Sequence, residues 1–167
     1  MDAERHPAAD LVERIAEALL AADAPSRRYS PRVYHLDDPR LVPEEAQGPF
    51  YGITVGQAAV TDEQADRLAL RYEVQVGAYQ YMVAPAPGGR EAGLKPHAPA
   101  ARVGVLDLVW AAHQVLRGRG LGEWAWAKSL GETASEALVS PDGETLSGWV
   151  RRALRIQYAV ASEFEPQ

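Results

Sequence analysis

The chain contains no cysteine. Disulfides, thiolate metal sites and cysteine nucleophiles are therefore excluded together, and the absence fits a reducing compartment. Long apolar runs are missing too: none approaches the roughly 20 residues that a membrane-spanning helix needs. Residues 1–9 carry Asp2 and Glu4 with no basic-then-apolar pattern, so they do not read as a secretory signal. Nor is there an excess of basic charge, since 17 Lys and Arg stand against 23 Asp and Glu, a net charge of −6. Arg27, Arg28, Arg117, Arg119, Arg151 and Arg152 are spread along the chain and do not form the stripe that a phosphate backbone requires, which argues against nucleic-acid binding as the main role.

What is present is enough for a core. A chain of 167 residues with 47% hydrophobic content can bury roughly 70% of its unfolded surface without any covalent staple. The expectation is a single soluble domain spanning residues 1–167, retained inside the cell that makes it.

Hydrophobic spacing predicts the elements. Leu11, Ile15, Leu19 and Ala22 share one face of a helix over 10–22, with Glu13, Arg14 and Glu17 opposite. Asp10 and Glu13 imitate a capping box, a start nearer Pro7 is equally allowed, and Pro25 ends the helix. A short strand over 32–36 leads into a proline-rich connection, 37–49, and an apolar strand over 50–55 closed by Gly56. The clearest strand is 67–81, where Leu68, Leu70, Tyr72, Val74 and Val76 alternate with Ala69, Arg71, Glu73, Gln75 and Gly77.

Residues 84–101 hold seven Pro or Gly residues along with Arg90, Glu91 and Lys95, the composition of a mobile arm that orders against a neighbour. Val105, Leu108, Val109, Ala112 and Leu116 then mark a second helix, stopped by Gly118 and Gly120. Strands over 124–130 and 133–139 follow, then a turn at Ser140, Pro141, Asp142 and Gly143. In the last strand, 149–161, Val150, Leu154, Ile156, Tyr158 and Val160 face one way and Arg151, Arg155 and Gln157 the other. The predicted class is α+β: an antiparallel sheet with two helices packed on one face.

Chemistry-bearing motifs are few. His6, His35, His97 and His113 share no metal-ligand spacing, and His35 beside Asp37 and Asp38 is better explained as a strand end entering a turn. His113 sits one position off its helix's apolar stripe, as a boundary residue does. The glycines at 118, 120 and 122 follow a helix and precede a strand, the reverse of a phosphate-cradling loop. Neither a Gly-x-Ser-x-Gly elbow nor a P-loop lysine occurs, and the pair Glu44–Glu45 is explained as solvated. No catalytic residue, metal or cofactor is therefore expected. Trp124 with Trp126, and Tyr79 with Tyr81, are strand aromatics of the kind that fill cores and also protein–protein interfaces.

The N-terminal amphipathic helix, the alternating strand 67–81, the helix beginning Val105-Leu106-Asp107-Leu108-Val109 and the closing strand 150–158 together resemble the tail terminator proteins of long-tailed bacteriophages and related tail-like particles. The resemblance lies in element order over about residues 10–160, without a signature motif, and the insertion at 84–101 is long for that pattern. It implies a virion protein without catalytic activity. Such a protein forms a hexameric ring on the last ring of the tail tube, stops tube growth and presents a surface to the head completion, or stopper, protein. Under it, the polar strand faces carrying Arg71, Glu73, Gln75, Arg151, Arg155 and Gln157 are the expected contact between subunits. A head-to-tail connector would look the same in sequence. A small-molecule-binding or enzymatic domain would instead show a deep polar cavity containing His35 or His113.

Overall fold

The computed structural model describes residues 5–81, 104–117 and 125–163. Helix α1 (Pro7–Leu20) opens on proline, whose fixed backbone suits the first helical turn, and is capped by His6, whose Nδ1 accepts the Ala8 amide at 3.1 Å. The predicted Asp10 capping box is not used: Asp10 is buried inside the first turn and pairs with Arg5 at 3.1 Å. A short 3-10 helix (Pro25–Tyr29) follows, held to α1 by the Ser26 hydroxyl, which donates to the Leu19 carbonyl.

The strands are β1 (Arg32–His35), β2 (Phe50–Gln64), β3 (Arg67–Tyr81), β4 (Ala125–Glu132), β5 (Glu136–Val139) and β6 (Leu146–Glu163), and α2 (Val105–Leu116) lies between β3 and β4. The sheet order is β1-β2-β3-β6-β4, with β5 beside the start of β6. The sheet is mixed and not purely antiparallel as expected, because β1 runs parallel to β2, from Arg32 opposite Phe50 to His35 opposite Ile53. A parallel pair needs a crossover of about a dozen residues or more, and the proline-rich connection supplies it.

One sheet face carries both helices. Leu11, Val12, Ile15 and Leu19 of α1 and Leu108, Val109, Ala112, Val115 and Leu116 of α2 pack on Tyr51, Ile53, Tyr72, Val74, Val76, Leu154, Ile156, Tyr158 and Val160. Each such side chain withdrawn from water contributes about 1.5–3 kcal/mol before the entropy of ordering is counted. The Tyr51 hydroxyl donates to the Leu108 carbonyl at 2.7 Å, tying β2 to α2. Burial raises the phenol pKa of both Tyr51 and Tyr158. Leu68 and Leu70, expected in this core, are only half-buried because the strand outruns the helices that cover it.

The same overrun explains the largest boundary error. Strand β2 was expected to stop at Gly56 but continues to Gln64, with residues 56–64 exposed. Pairing to β3 holds it extended without burial. Bulges between Val55 and Ala58 and between Val60 and Asp62 erase its period-2 pattern. The predicted strand over 133–139 shortens to β5 because Thr133 staples the corner to Ala153: its amide donates to the Ala153 carbonyl at 2.8 Å and its hydroxyl accepts the Ala153 amide at 2.9 Å. The segment 84–101 with Arg90, Glu91 and Lys95, the glycines at 118–122 and Trp124 lie outside the described residues.

Candidate assembly surface

The sheet face opposite the helices is built around two glycines. Gly52 of β2 and Gly77 of β3 are register partners, and together they leave a trough. A Cβ on Gly52 would lie within contact-forbidding distance of Leu36, and one on Gly77 would stand 2.8 Å from the Tyr79 ring and 3.1 Å from Arg151 Nε. Leu36, Phe50, Tyr79, Leu138 and Trp149 form a second core there, with Tyr34, Val42 and Ala46 against it. The Phe50 and Tyr79 rings stack at 4.4 Å, and Trp149 and Tyr34 meet Phe50 edge-on. The Tyr79 hydroxyl donates to the Pro39 carbonyl, so the proline-rich connection is packed down as a cover.

Arg151 lies within this cover. Expected on an exposed polar face, it is 4% exposed. Its Nε donates to the Tyr79 hydroxyl at 2.9 Å, its Nη2 to Gln75 Oε1 at 2.7 Å, and its Nη1 lies 3.5 Å from Glu136. Burial raises the Tyr79 phenol pKa, and the neighbouring guanidinium opposes that rise. Period-2 alternation correctly put Arg151 on this face. It could not show that a connection without periodicity covers it.

Beyond the cover the same face stays polar. Arg155 chelates Glu73 across β3 and β6, through Nε at 2.9 Å and Nη2 at 2.8 Å, with both side chains partly exposed. Gln157 is half-buried opposite Glu73, and Arg71 is exposed. The structure thus brings all six expected contact residues to one face. It commits Arg151 to the interior, holds the half-buried Gln75 against it, and leaves Arg71 exposed with Glu73, Arg155 and Gln157 half-buried at the surface.

A feature that sequence reasoning missed lies at the sheet's margins. Strand β1 covers β2 only along Phe50–Ile53, so among the described residues the outer edge of β2 is unpaired from Thr54 to Gln64. Val60 on it is 59% exposed. On the opposite margin, the outer edge of β4 has no strand partner among the described residues either. Unpaired edges offer a row of amides and carbonyls to another strand. A run of apolar and small residues before Asp62 was the available signal.

Among the described histidines, His35 and His113 take no part in a comparable centre. His35 is exposed, while Asp38 turns away to cap the Arg40 amide and pair with its guanidinium; that contact lowers the Asp38 pKa. His113 lies 3.4 Å from Glu132, which also holds Arg152. No group of three or more His, Asp or Glu among the described residues is placed to hold a metal ion. One cleft of about 230 Å³ beside β1 is lined by Arg32, Tyr34 and Glu45, and another of about 240 Å³ by Tyr29, Asp107 and the exposed Trp110. Neither contains His35 or His113. No described helix is long and apolar enough to cross a membrane. In comparisons with known proteins, the chain matches no family model and no curated sequence.

Proposed function

We propose that this chain is a structural subunit of a phage-type tail, a tail terminator that assembles as a ring on the end of the tail tube.

 The ring is hexameric in this reading, as in the family that the element order resembles. Its further partners are the tail tube protein on one side and the head completion, or stopper, protein on the other, and its place is the virion. The observation that carries the reading is a sheet that outruns its own cover. The helices and the proline-rich connection bury one end of it, while the β2–β3 hairpin from 56 to 67 projects exposed. At the margin of the sheet, so long an exposed strand adds little burial to a lone chain and leaves its outer amides and carbonyls without a strand partner among the described residues. A neighbour that covers it supplies the missing burial.

Mass photometry of the purified chain, followed by imaging with purified tail tubes, tests this. The expected result is a species of six chain masses that caps tube ends. A chain that remains monomeric at every soluble concentration and ignores tubes would overturn the reading. Rings that bind the head-side neck but not the tube would move it to a connector.

A further inference from the structure

The two open margins of the sheet fit one another, and we infer that subunits join by them: the outer edge of β2 in one copy pairs with the outer edge of β4 in the next, so that the sheet runs on from subunit to subunit. This rests on the ring reading and specifies its contact.

Polarity is the first argument. Strands β2 and β3, β3 and β6, and β6 and β4 are each antiparallel, so β2 and β4 point in opposite directions across one subunit. A rotation about an axis along the strands preserves direction and brings β4 of one copy antiparallel to β2 of the next. It also keeps both helix layers on the same side of the continued sheet. The contact is heterologous, one patch meeting a different patch, which is what a closed ring requires.

Level is the second. Ser129 pairs with Ile156, Ile156 with Val74, and Val74 with Val55, so these four residues share one rung. Ala125, Val160, Leu70 and Val60 share another. The open stretch of β2 and the whole of β4 therefore stand at overlapping heights on opposite margins. Neither has to slide far to find the other.

Composition is the third. Residues 54–64 contain no Lys and no Pro, the residues that most often blunt an edge, and 54–61 carry no charge. The bulges in β2 and the one between Ser129 and Gly131 in β4 add local twist and bend, which a sheet curving round an axis needs. Val60, exposed in the free chain, is covered by such a seam. The occupant is a second copy and not a foreign peptide, because the matching edge is already in the chain at the right height and direction.

The absence of native cysteine makes the seam directly testable. Facing residues of an antiparallel pair have Cα atoms about 4.5–5.5 Å apart, within the roughly 4.4–6.8 Å that a disulfide spans. Ser129→Cys is combined in turn with Gln57→Cys, Ala58→Cys and Val60→Cys, all at exposed positions, and each variant is oxidised after assembly. At least one combination should give a covalent ladder up to the full ring on a non-reducing gel, while Ser129→Cys alone and Ser129→Cys with Glu13→Cys should not. Rings that form normally but yield no ladder in any combination overturn the seam and leave the ring standing. A folded chain that never forms rings overturns both.

Discussion

Arg151 shows how far one residue's role depends on what covers it. Desolvating a guanidinium costs several kcal/mol, and only partners in good geometry offset that. Here Tyr79, Gln75 and Glu136 supply them, and Gly77 opposite Ala153 leaves the space. Hydrogen bonds to a charged group contribute about 1.5–3 kcal/mol, and the buried stem adds packing. Arg151→Ala is therefore expected to lower stability to urea by about 3 kcal/mol. Arg151→Met keeps the stem, leaves no charge behind, and is expected to recover much of the loss. If Arg151→Ala unfolds at the same urea concentration as the parent, the guanidinium does not hold the cover in place.

Among the elements, β3 and α2 are the pair on which the fold turns. Val74 and Leu108 are fully buried on the facing surfaces of strand and helix. Val74→Asp or Leu108→Asp places an unpaired charge between them and is expected to cost several kcal/mol, seen as insolubility or a large fall in melting temperature. Ala58→Asp, on the exposed hairpin, should stay within about 0.5 kcal/mol of the parent. Equal heat stability of all three would mean that the assigned core is wrong. Both β3 and α2 were legible from sequence because burial imposed period 2 on one and period 3.6 on the other. The far half of β2 was not, since backbone pairing to β3 holds Ala58, Ala59 and Val60 extended while no core selects their side chains. The parallel β1 and the buried Arg151 escaped for a related reason: both depend on the path of 36–49, which proline sets without leaving a repeat. The six polar residues of the candidate surface were found together, but which of them remain at the surface was decided by that connection.

For the whole molecule, the surviving polar face and the open edges make different demands on assembly. Adjacent strands are about 4.8 Å apart, so Arg71 on β3 and Arg155 on β6 each stand about two strand spacings from the neighbour across a β2–β4 seam. That is close to the Debye length of about 8 Å at physiological salt. Charges at such a distance steer and align subunits but contribute little each, and exposed pairs such as Arg155 with Glu73 are worth about 0.2–1 kcal/mol. Arg151 cannot serve in this way, because reversing a buried charge unfolds the cover first. Arg71→Glu combined with Arg155→Glu is therefore the informative change. It is expected to leave the monomer folded and to weaken ring assembly more than either change alone, with the deficit shrinking as salt is added. Disrupting the backbone seam itself should weaken assembly at every salt concentration. Mass photometry of the double variant across a salt series separates the two contributions. If the folded double variant forms rings at the parent's concentration in low salt, the polar face does not border the contact.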